Sequence, residues 1–376
     1  MSKLLQNSKQ NIDLNNYLKE QAALEYQKNK KRQDRHITGV MARETLFQEN
    51  LKQILTNVSK SLTIPICGYS KKKTNKNKKR ILNLVLSDTH FHSLLDKKEV
   101  PTQFGPKEES RALASVVLET LNYKTQYRDE TELYVHILGD LILGELHDLR
   151  AGANLTNQFG AVVYYFIQAL THLARTFPKV IVRFVPGNHG RRKIRHDQRA
   201  TNEKWDSYET MIMFSIKMAL VSIPNIEIII PYTPYYTYTA FNRHGFATHG
   251  DTVINAGFPS SSININKLRS QINEWNAGSN KKCDLFMVGH VHTASMVHLP
   301  SGPIFMSNGC LIPPDPYAIS SGYFSTQNGQ WMFESVENFI VGDTRFINVG
   351  KQQYTDSTLN TLVKPYYGLD VKLDLQ

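Results

Sequence analysis

Residues 81–90 read ILNLVLSDTH: Ile81 to Leu86 is a short apolar run that stops on Ser87-Asp88-Thr89-His90. A run of this length, bounded by polar residues, reads as a buried strand feeding a loop. The same texture returns along the chain. Leu133 to Leu138 (LYVHIL) ends at Gly139-Asp140, Val180 to Val185 (VIVRFV) at Pro186-Gly187-Asn188, and Leu285 to Val288 (LFMV) at Gly289-His290. Between these strands, 108–123, 157–175 and 203–222 read as helices. Ile226 to Ile230 and Tyr232 to Phe246 read as further strands. After Pro313 and Pro314 the chain is β-rich, and Asn328-Gly329 between YFST and WMFE is a hairpin signal. Strands alternating with helices, then antiparallel strands, predict an α/β layered sandwich.

Three strands thus end in clusters of metal-ligand type: Asp88-Thr89-His90, Gly139-Asp140 and Gly187-Asn188-His189. Thr248-His249-Gly250 and Gly289-His290-Val291-His292 add two more. In open α/β sheets, sites form beyond the C-terminal ends of strands. Carboxylate, imidazole and amide oxygen without thiolate suit manganese-, iron- or zinc-like ions. An HxH pair can place its imidazoles on neighbouring ions, and a carboxylate such as Asp140 can bridge two. Such a pair of ions serves in-line displacement at phosphorus.

The order D-x-H, G-D, G-N-H, H, G-H-x-H resembles the calcineurin-like metallophosphoesterases, over roughly 81–315. The stretches are SDTH at 87–90, LGD at 138–140, PGNHG at 186–190, THGD at 248–251 and GHVH at 289–292. The resemblance implies a four-layer αββα sandwich with two mixed sheets. It implies that Asp88, His90 and His292 hold one divalent ion and Asn188, His249 and His290 a second. Asp140 bridges them together with a hydroxide that attacks phosphorus, and the catalytic His189 binds no metal but stabilises the transition state or protonates the leaving oxygen, a general-acid role. Manganese is the expected metal, with iron, zinc or nickel as alternatives. Two departures stand out. The family often carries an acid after GNH, where this chain has Gly190, and the GDxVDRG of the protein phosphatases is replaced by Asp140-Leu141-Ile142-Leu143-Gly144. PGNHGRRK, THGD and NGC also resemble bacteriophage and prophage phosphoesterases described as nuclease-like.

The charge is unevenly spread. The 376 residues carry 44 Lys/Arg and 33 Asp/Glu, a net +11. Residues 1–80 hold 18 basic and 6 acidic side chains (+12), which leaves 26 basic and 27 acidic ones (−1) for 81–376. Residues 71–80, KKKTNKNKKR, hold seven of the basic ones. Upstream, Leu14, Tyr17, Leu18 and Ala22, then Val40, Phe47, Leu51, Ile54, Leu55 and Val58, give helical patterns. The expected organisation is a helical or disordered basic arm (1–70), a basic linker (71–80), a metallophosphoesterase domain (81–350) and a C-terminal tail packed on or extending it (351–376). A basic arm suits a polyanion such as nucleic acid. With 41% hydrophobic and 20% charged residues the composition is that of a globular protein. Cys67, Cys283 and Cys310 form neither a disulfide framework nor a CxxC site. No apolar run reaches 18 residues and Met1 to Gln10 lacks a signal-peptide core, so a soluble cytoplasmic protein, phage-encoded in a bacterial host, is expected, with no membrane partner.

Smaller features carry two readings each. Residues 191–199, RRKIRHDQR, hold five basic residues directly after His189. They are a solvated loop face or, from their position, a phosphate contact through Arg191, Arg192, Lys193 and Arg195. Asp251 and His92 either orient ligands or are ordinary loop residues. Tyr232 to Phe241 (YTPYYTYTAF) reads as a half-buried Tyr/Thr strand in preference to a base-stacking platform. The expected function is hydrolysis of phosphodiester bonds in DNA or RNA. The alternatives are a phosphodiesterase or phosphatase of small molecules such as cyclic nucleotides, and a non-catalytic interaction module on the same fold.

Overall fold

The computed structural model describes residues 80–98, 100–127, 131–144, 154–191, 204–257, 263–320, 328–350 and 354–368, with a few positions (23–28, 30, 31, 38 and 49) near the N-terminus. The chain divides into two compact units, Met1–Thr56 and Asn57–Gln376. In the first, 23–28 are helical and exposed. Most of the expected arm, and linker residues 71–79, lie outside the described residues.

The second unit is built on two mixed sheets. β1 (Arg80–Leu86), β2 (Thr131–Ile137), β3 (Val180–Phe184) and β4 (Ile226–Ile229) run parallel. β10 (Gly329–Ser335) joins β1 antiparallel and β11 (Thr344–Asn348) joins β10, giving the order β11-β10-β1-β2-β3-β4. The second sheet has the order β5-β6-β7-β9-β8. Its strands are β5 (Tyr235–Ala240), β6 (Arg243–Thr248), β7 (Leu285–Val288), β8 (Ser295–His298) and β9 (Ile304–Ser307). β6, β7 and β9 are parallel neighbours, and β5 and β8 close the edges antiparallel.

The sheets pack face to face. Ile81, Val85, Leu138 and Val185 of the first meet Ala240, Ala247, Met287 and Met306 of the second in one buried cluster. Since side chains alternate along a strand, Leu82, Leu84 and Leu86 face the other way. They too are buried, as a parallel sheet covered by helices requires. Helices α1 (Pro106–Tyr127), α2 (Leu155–Thr176) and α3 (Tyr208–Ala219) supply that cover, α2 packing between the other two. On the outer side of the second sheet, α4 (Ile265–Gly278) seats Leu268 and Ile272 against Phe246, Phe286 and Phe305. The layers are α, β, β, α, as expected.

β5 alternates buried and exposed residues, with Tyr236 and Tyr238 inside the sandwich. That is the half-buried strand, and it removes these rings from base stacking. The Tyr236 hydroxyl meets His136 Nδ1 at 2.8 Å, and His136 Nε2 meets Asn83 Oδ1 at 3.0 Å, so a polar chain crosses between the sheets. β10 is an interior strand flanked by β1 and β11; the first half of the expected hairpin, YFST, lies outside the described residues. Near the C-terminus, a short helix α5 (Pro316–Ser320) precedes β10 and α6 (Asp356–Asn360) rests on α1. The Lys364 and Tyr366 amides bond to Gln168 and the Tyr165 hydroxyl of α2. No helix among the described residues is long and apolar enough to cross a membrane.

Candidate metal centre

β1, β2 and β3 are parallel neighbours, as are β6 and β7, and their C-terminal ends converge on one rim. The backbone there departs sharply from β geometry. Asp88, His90, His92, Asp140, His290 and His292 all have positive φ, between 42° and 67°. Left-handed backbone costs a residue with a side chain about 1–3 kcal/mol and persists only where the surroundings over-determine it. Here the loops brace one another. The amides of Asp88, His90 and Phe91 bond in turn to the carbonyls of Gly139, Asp140 and Leu141, at 2.9–3.1 Å. Two glycines permit the approach of the next loop: a Cβ on Gly139 would lie 2.2 Å from Gly187 N, and one on Gly187 1.9 Å from Asp140 Oδ1.

The side chains gather into three groups whose donor atoms lie within 4.8 Å of one another: Asp88, His90 and His292; Asp140, His249 and His290; and, between them, His90, Asp140 and His189. Asn188 joins the second group, its Oδ1 3.0 Å from His249 Nε2. Asp140 Oδ2 lies 3.0 Å from the same nitrogen, while Oδ1 accepts the His189 amide at 2.8 Å. His249 and His189 each place Nδ1 on a carbonyl, Leu138 at 2.6 Å and Leu143 at 2.8 Å. Nδ1–H therefore donates, which fixes each ring and turns its Nε2 toward Asp140 Oδ2, at 3.0 Å for His249 and 3.9 Å for His189. Both carboxylate oxygens of Asp88 accept the His290 amide at 3.1 Å, and Oδ1 lies 3.3 Å from His292 Nε2. His90 and His292 face each other through Nε2 at 3.3 Å, a spacing that a shared proton or a shared cation satisfies.

Electrostatics at the rim are strongly opposed. Burial would raise Asp140, but the His249 and His189 imidazoles outweigh it and hold the carboxyl well below its usual range. Burial would lower His249, yet Asp140 carries it up to about 9. His90 and His290 go the other way. Burial, followed by His189 and His249 respectively, pushes them down to about 3 and about 4. Opposed neighbours of this kind concentrate at functional sites. Carboxylate, imidazole and amide donors in linked groups, the middle one sharing His90 with the first and Asp140 with the second, fit a pair of divalent cations.

The seven expected ligands and His189 are thus brought together. Asp251 sits beside them in an ion pair with Lys204, whose ammonium is buried, and this pair holds the Asp251 carboxyl down against the effect of burial. His92 is buried but belongs to no donor group among the described residues; its ring meets Tyr366 edge-on at 5.6 Å. Arg191 pairs its backbone with Ser207, whereas Arg192, Lys193 and Arg195 lie outside the described residues.

Two further residues had no sequence signal. Glu109 of α1 accepts the His92 amide at 2.6 Å and the Tyr165 hydroxyl at 3.2 Å. Glu209 of α3 accepts the Leu141 amide at 2.6 Å and the Gly187 amide at 2.7 Å. Both are fully buried, and burial pushes them up to about 8 and about 7, for Glu209 with help from the Asp140 charge.

No family model and no curated protein matches the chain. Among solved structures, a dimetal phosphatase from Danio rerio shares 11% identity over 72% of this chain and 99% of its own, with a TM-score of 0.34. The calcineurin-like phosphoesterase YfkN from Bacillus subtilis shares 9% over 76% and 96%, with a TM-score of 0.32. A 5'-nucleotidase from Staphylococcus aureus shares 13% over 75% and 57%, with a TM-score of 0.31. The chain resembles calcineurin-like metallophosphoesterases. The weight of that resemblance lies in the metallophosphoesterase-type motifs and the donor geometry they form, with Asp140 common to two donor groups.

Proposed function

We propose that this chain is a phosphoesterase dependent on two divalent ions, and that its substrate is a phosphodiester of nucleic acid. The observation that carries the first part is the chain of donor groups, in which the middle one shares His90 with the first and Asp140 with the second. Asp88, His90 and His292 would hold one ion, Asn188, His249 and His290 the other, with Asp140 between them. Bound ions supply Lewis acidity, which activates water and neutralises phosphoryl charge. The protein's own residues do the rest. The His189 amide fixes the direction of Asp140. The His189 ring is anchored through Nδ1 on Leu143 and directs Nε2 to within 3.9 Å of Asp140 Oδ2. There it holds a proton for the leaving oxygen, a general-acid role.

The choice of a polyanionic substrate is supported by charge and tethering. Arg191 follows His189 by two residues, and Lys204 is paired with Asp251, two residues after His249. Arg192, Lys193 and Arg195 lie in the sequence between these two rim residues, Arg191 and Lys204, and would contact phosphates flanking a bound diester. The block at 71–80 would add affinity independent of sequence. The near-neutral body, 26 basic against 27 acidic residues over 81–376, favours a second reading, a phosphodiesterase of small molecules.

Purified protein loaded with Mn²⁺ and offered linear DNA, single-stranded RNA and a nitrophenyl diester separates these readings. Cleavage of polymer is expected. Turnover of the small diester with DNA and RNA left intact would establish the second reading, and no turnover by protein holding two ions would defeat both.

A further inference from the structure

We propose that Glu209 is a positioning residue for the second ion: from α3, its carboxylate sets the spacing between the loop that carries Asp140 and the loop that carries Asn188. The inference rests on the two-ion reading above and assigns a role to a residue outside every ligand motif.

Three observations support it. Glu209 Oε1 takes the amide of Leu141, which follows Asp140, and Oε2 takes the amide of Gly187, which precedes Asn188. One rigid planar group thus spans both loops. Without it, two amides at a buried rim lose their acceptor, which a fold rarely tolerates. Next, the sequence makes room for this carboxylate. A Cβ on residue 190 would lie 2.3 Å from Glu209 Cγ, so Gly190 is what admits the side chain. The position after Asn188-His189, where the resemblance leads one to expect an acid, carries no side chain, and a carboxylate arrives beside it from a helix. Finally, the start of α3 is tied to the same loop through its backbone. Tyr208 donates to the Gly190 carbonyl at 2.8 Å, and Arg191 bridges Ser207.

The geometry also makes the role selective. The loop bearing Asp88 and His90 is braced by Glu109, through the His92 amide. Disturbing Glu209 should therefore loosen Asp140 and Asn188 while leaving the Asp88–His90–His292 group in place. A glutamine at 209 keeps the size but can accept only one of the two amides, because its NH2 then faces the other N–H.

The test is metal binding by the full chain, with Mn²⁺ as the probe. Wild type and Glu209→Gln are titrated by calorimetry, bound manganese is counted, and electron paramagnetic resonance reports whether two ions are coupled. The wild type is expected to hold two. In the variant the tighter ion should stay within about threefold of its affinity, the second should weaken about 10–100-fold, and the coupled signal should give way to that of an isolated ion. Ile212→Val, at a fully buried position of the same helix, is the control: it loosens the core without touching the carboxylate and should keep both ions. Glu209→Gln binding both ions as the wild type does would overturn this inference alone, as would equal weakening by Ile212→Val. A wild type holding fewer than two ions would overturn the two-ion reading and this inference with it. Should the glutamine variant unfold, Glu209→Ala, which lets water accept the two amides, carries the same outcomes.

Discussion

The backbone amide of His189 donates to Asp140 Oδ1 at 2.8 Å, and this single bond turns the other oxygen of Asp140 toward His249 Nε2, 3.0 Å away. Asp140→Asn preserves the first contact, because an amide oxygen also accepts, and replaces the second oxygen with NH2. An amide cannot bridge two cations. Bound divalent metal should fall from two ions per chain to one or none, with loss of diester turnover. The metal-free variant offers a second readout. Asp140 is what lifts His249 to about 9 against burial, so without the carboxylate the His249 pKa should drop below the ordinary 6.5. Imidazole ¹⁵N shifts would follow it. A His249 pKa still near 9 in the variant would show that Asp140 is not the cause.

His189 belongs to the middle donor group with His90 and Asp140, so its position alone allows two roles, ligand or proton donor. His189→Ala separates them. As a proton donor its loss should lower turnover about 10²–10⁴-fold with both ions retained. The loss should be smaller for a diester with a nitrophenolate leaving group, which needs little protonation. Loss of an ion on substitution would make His189 a ligand and remove the general acid from the scheme.

The strand ends are legible because they are local. β1, β2, β3 and β7 are short apolar runs, and the residue types that follow each run are those of the donor groups, so one reading of the chain finds both strand and side chain. The parts that were not legible depend on distance. Strand β8 (Ser295–His298) has no fully buried residue, and α4 buries only Leu268 and Ile272; both leave too narrow an apolar stripe to stand out. The braces were hidden in plain helix chemistry. Glu109 and Glu209 lie in the first turns of their helices, where an acid ordinarily complements the helix dipole. Only the tertiary approach of loops 17, 22 and 68 residues away turns them inward. The positive φ values were equally out of reach, since aspartate and histidine carry no mark of them.

Glu109 gives a pH prediction whose sign follows from its burial. A carboxyl in the unfolded chain releases its proton near 4.5, and in the folded protein Glu109 does so at about 8. Between these values the folded state holds the extra proton, so stability is greatest at the acid end and is lost as pH rises toward 8. Glu109→Gln cannot ionise, yet keeps an oxygen for the His92 amide and offers an NH2 to the Tyr165 hydroxyl. With a chelator present, the thermal midpoint of the wild type should decline from pH 5 to pH 8.5 and that of the variant should decline less. A residual slope is expected from Glu209, raised in the same direction to about 7. Parallel slopes would mean that Glu109 is not protonated in the folded protein.

The basic block at 71–80 yields a prediction that isolates substrate choice from chemistry. Replacing Lys71, Lys72, Lys73, Lys76, Lys78 and Lys79 by glutamine removes six charges from the full chain and spares Arg80, which is paired with Glu334 at 3.1 Å on the first sheet. For duplex DNA, each phosphate that the protein ceases to neutralise flattens the slope of log affinity against log salt by about 0.9. If the block holds nucleic acid, the slope should fall by several units, with weaker binding at low salt and little change at high salt. Turnover of a nitrophenyl diester should not change, because the donor groups all lie beyond residue 87. An unaltered slope would transfer the electrostatic contact to the segment that follows Arg191. An altered slope together with slower small-diester turnover would show instead that the block reaches the rim.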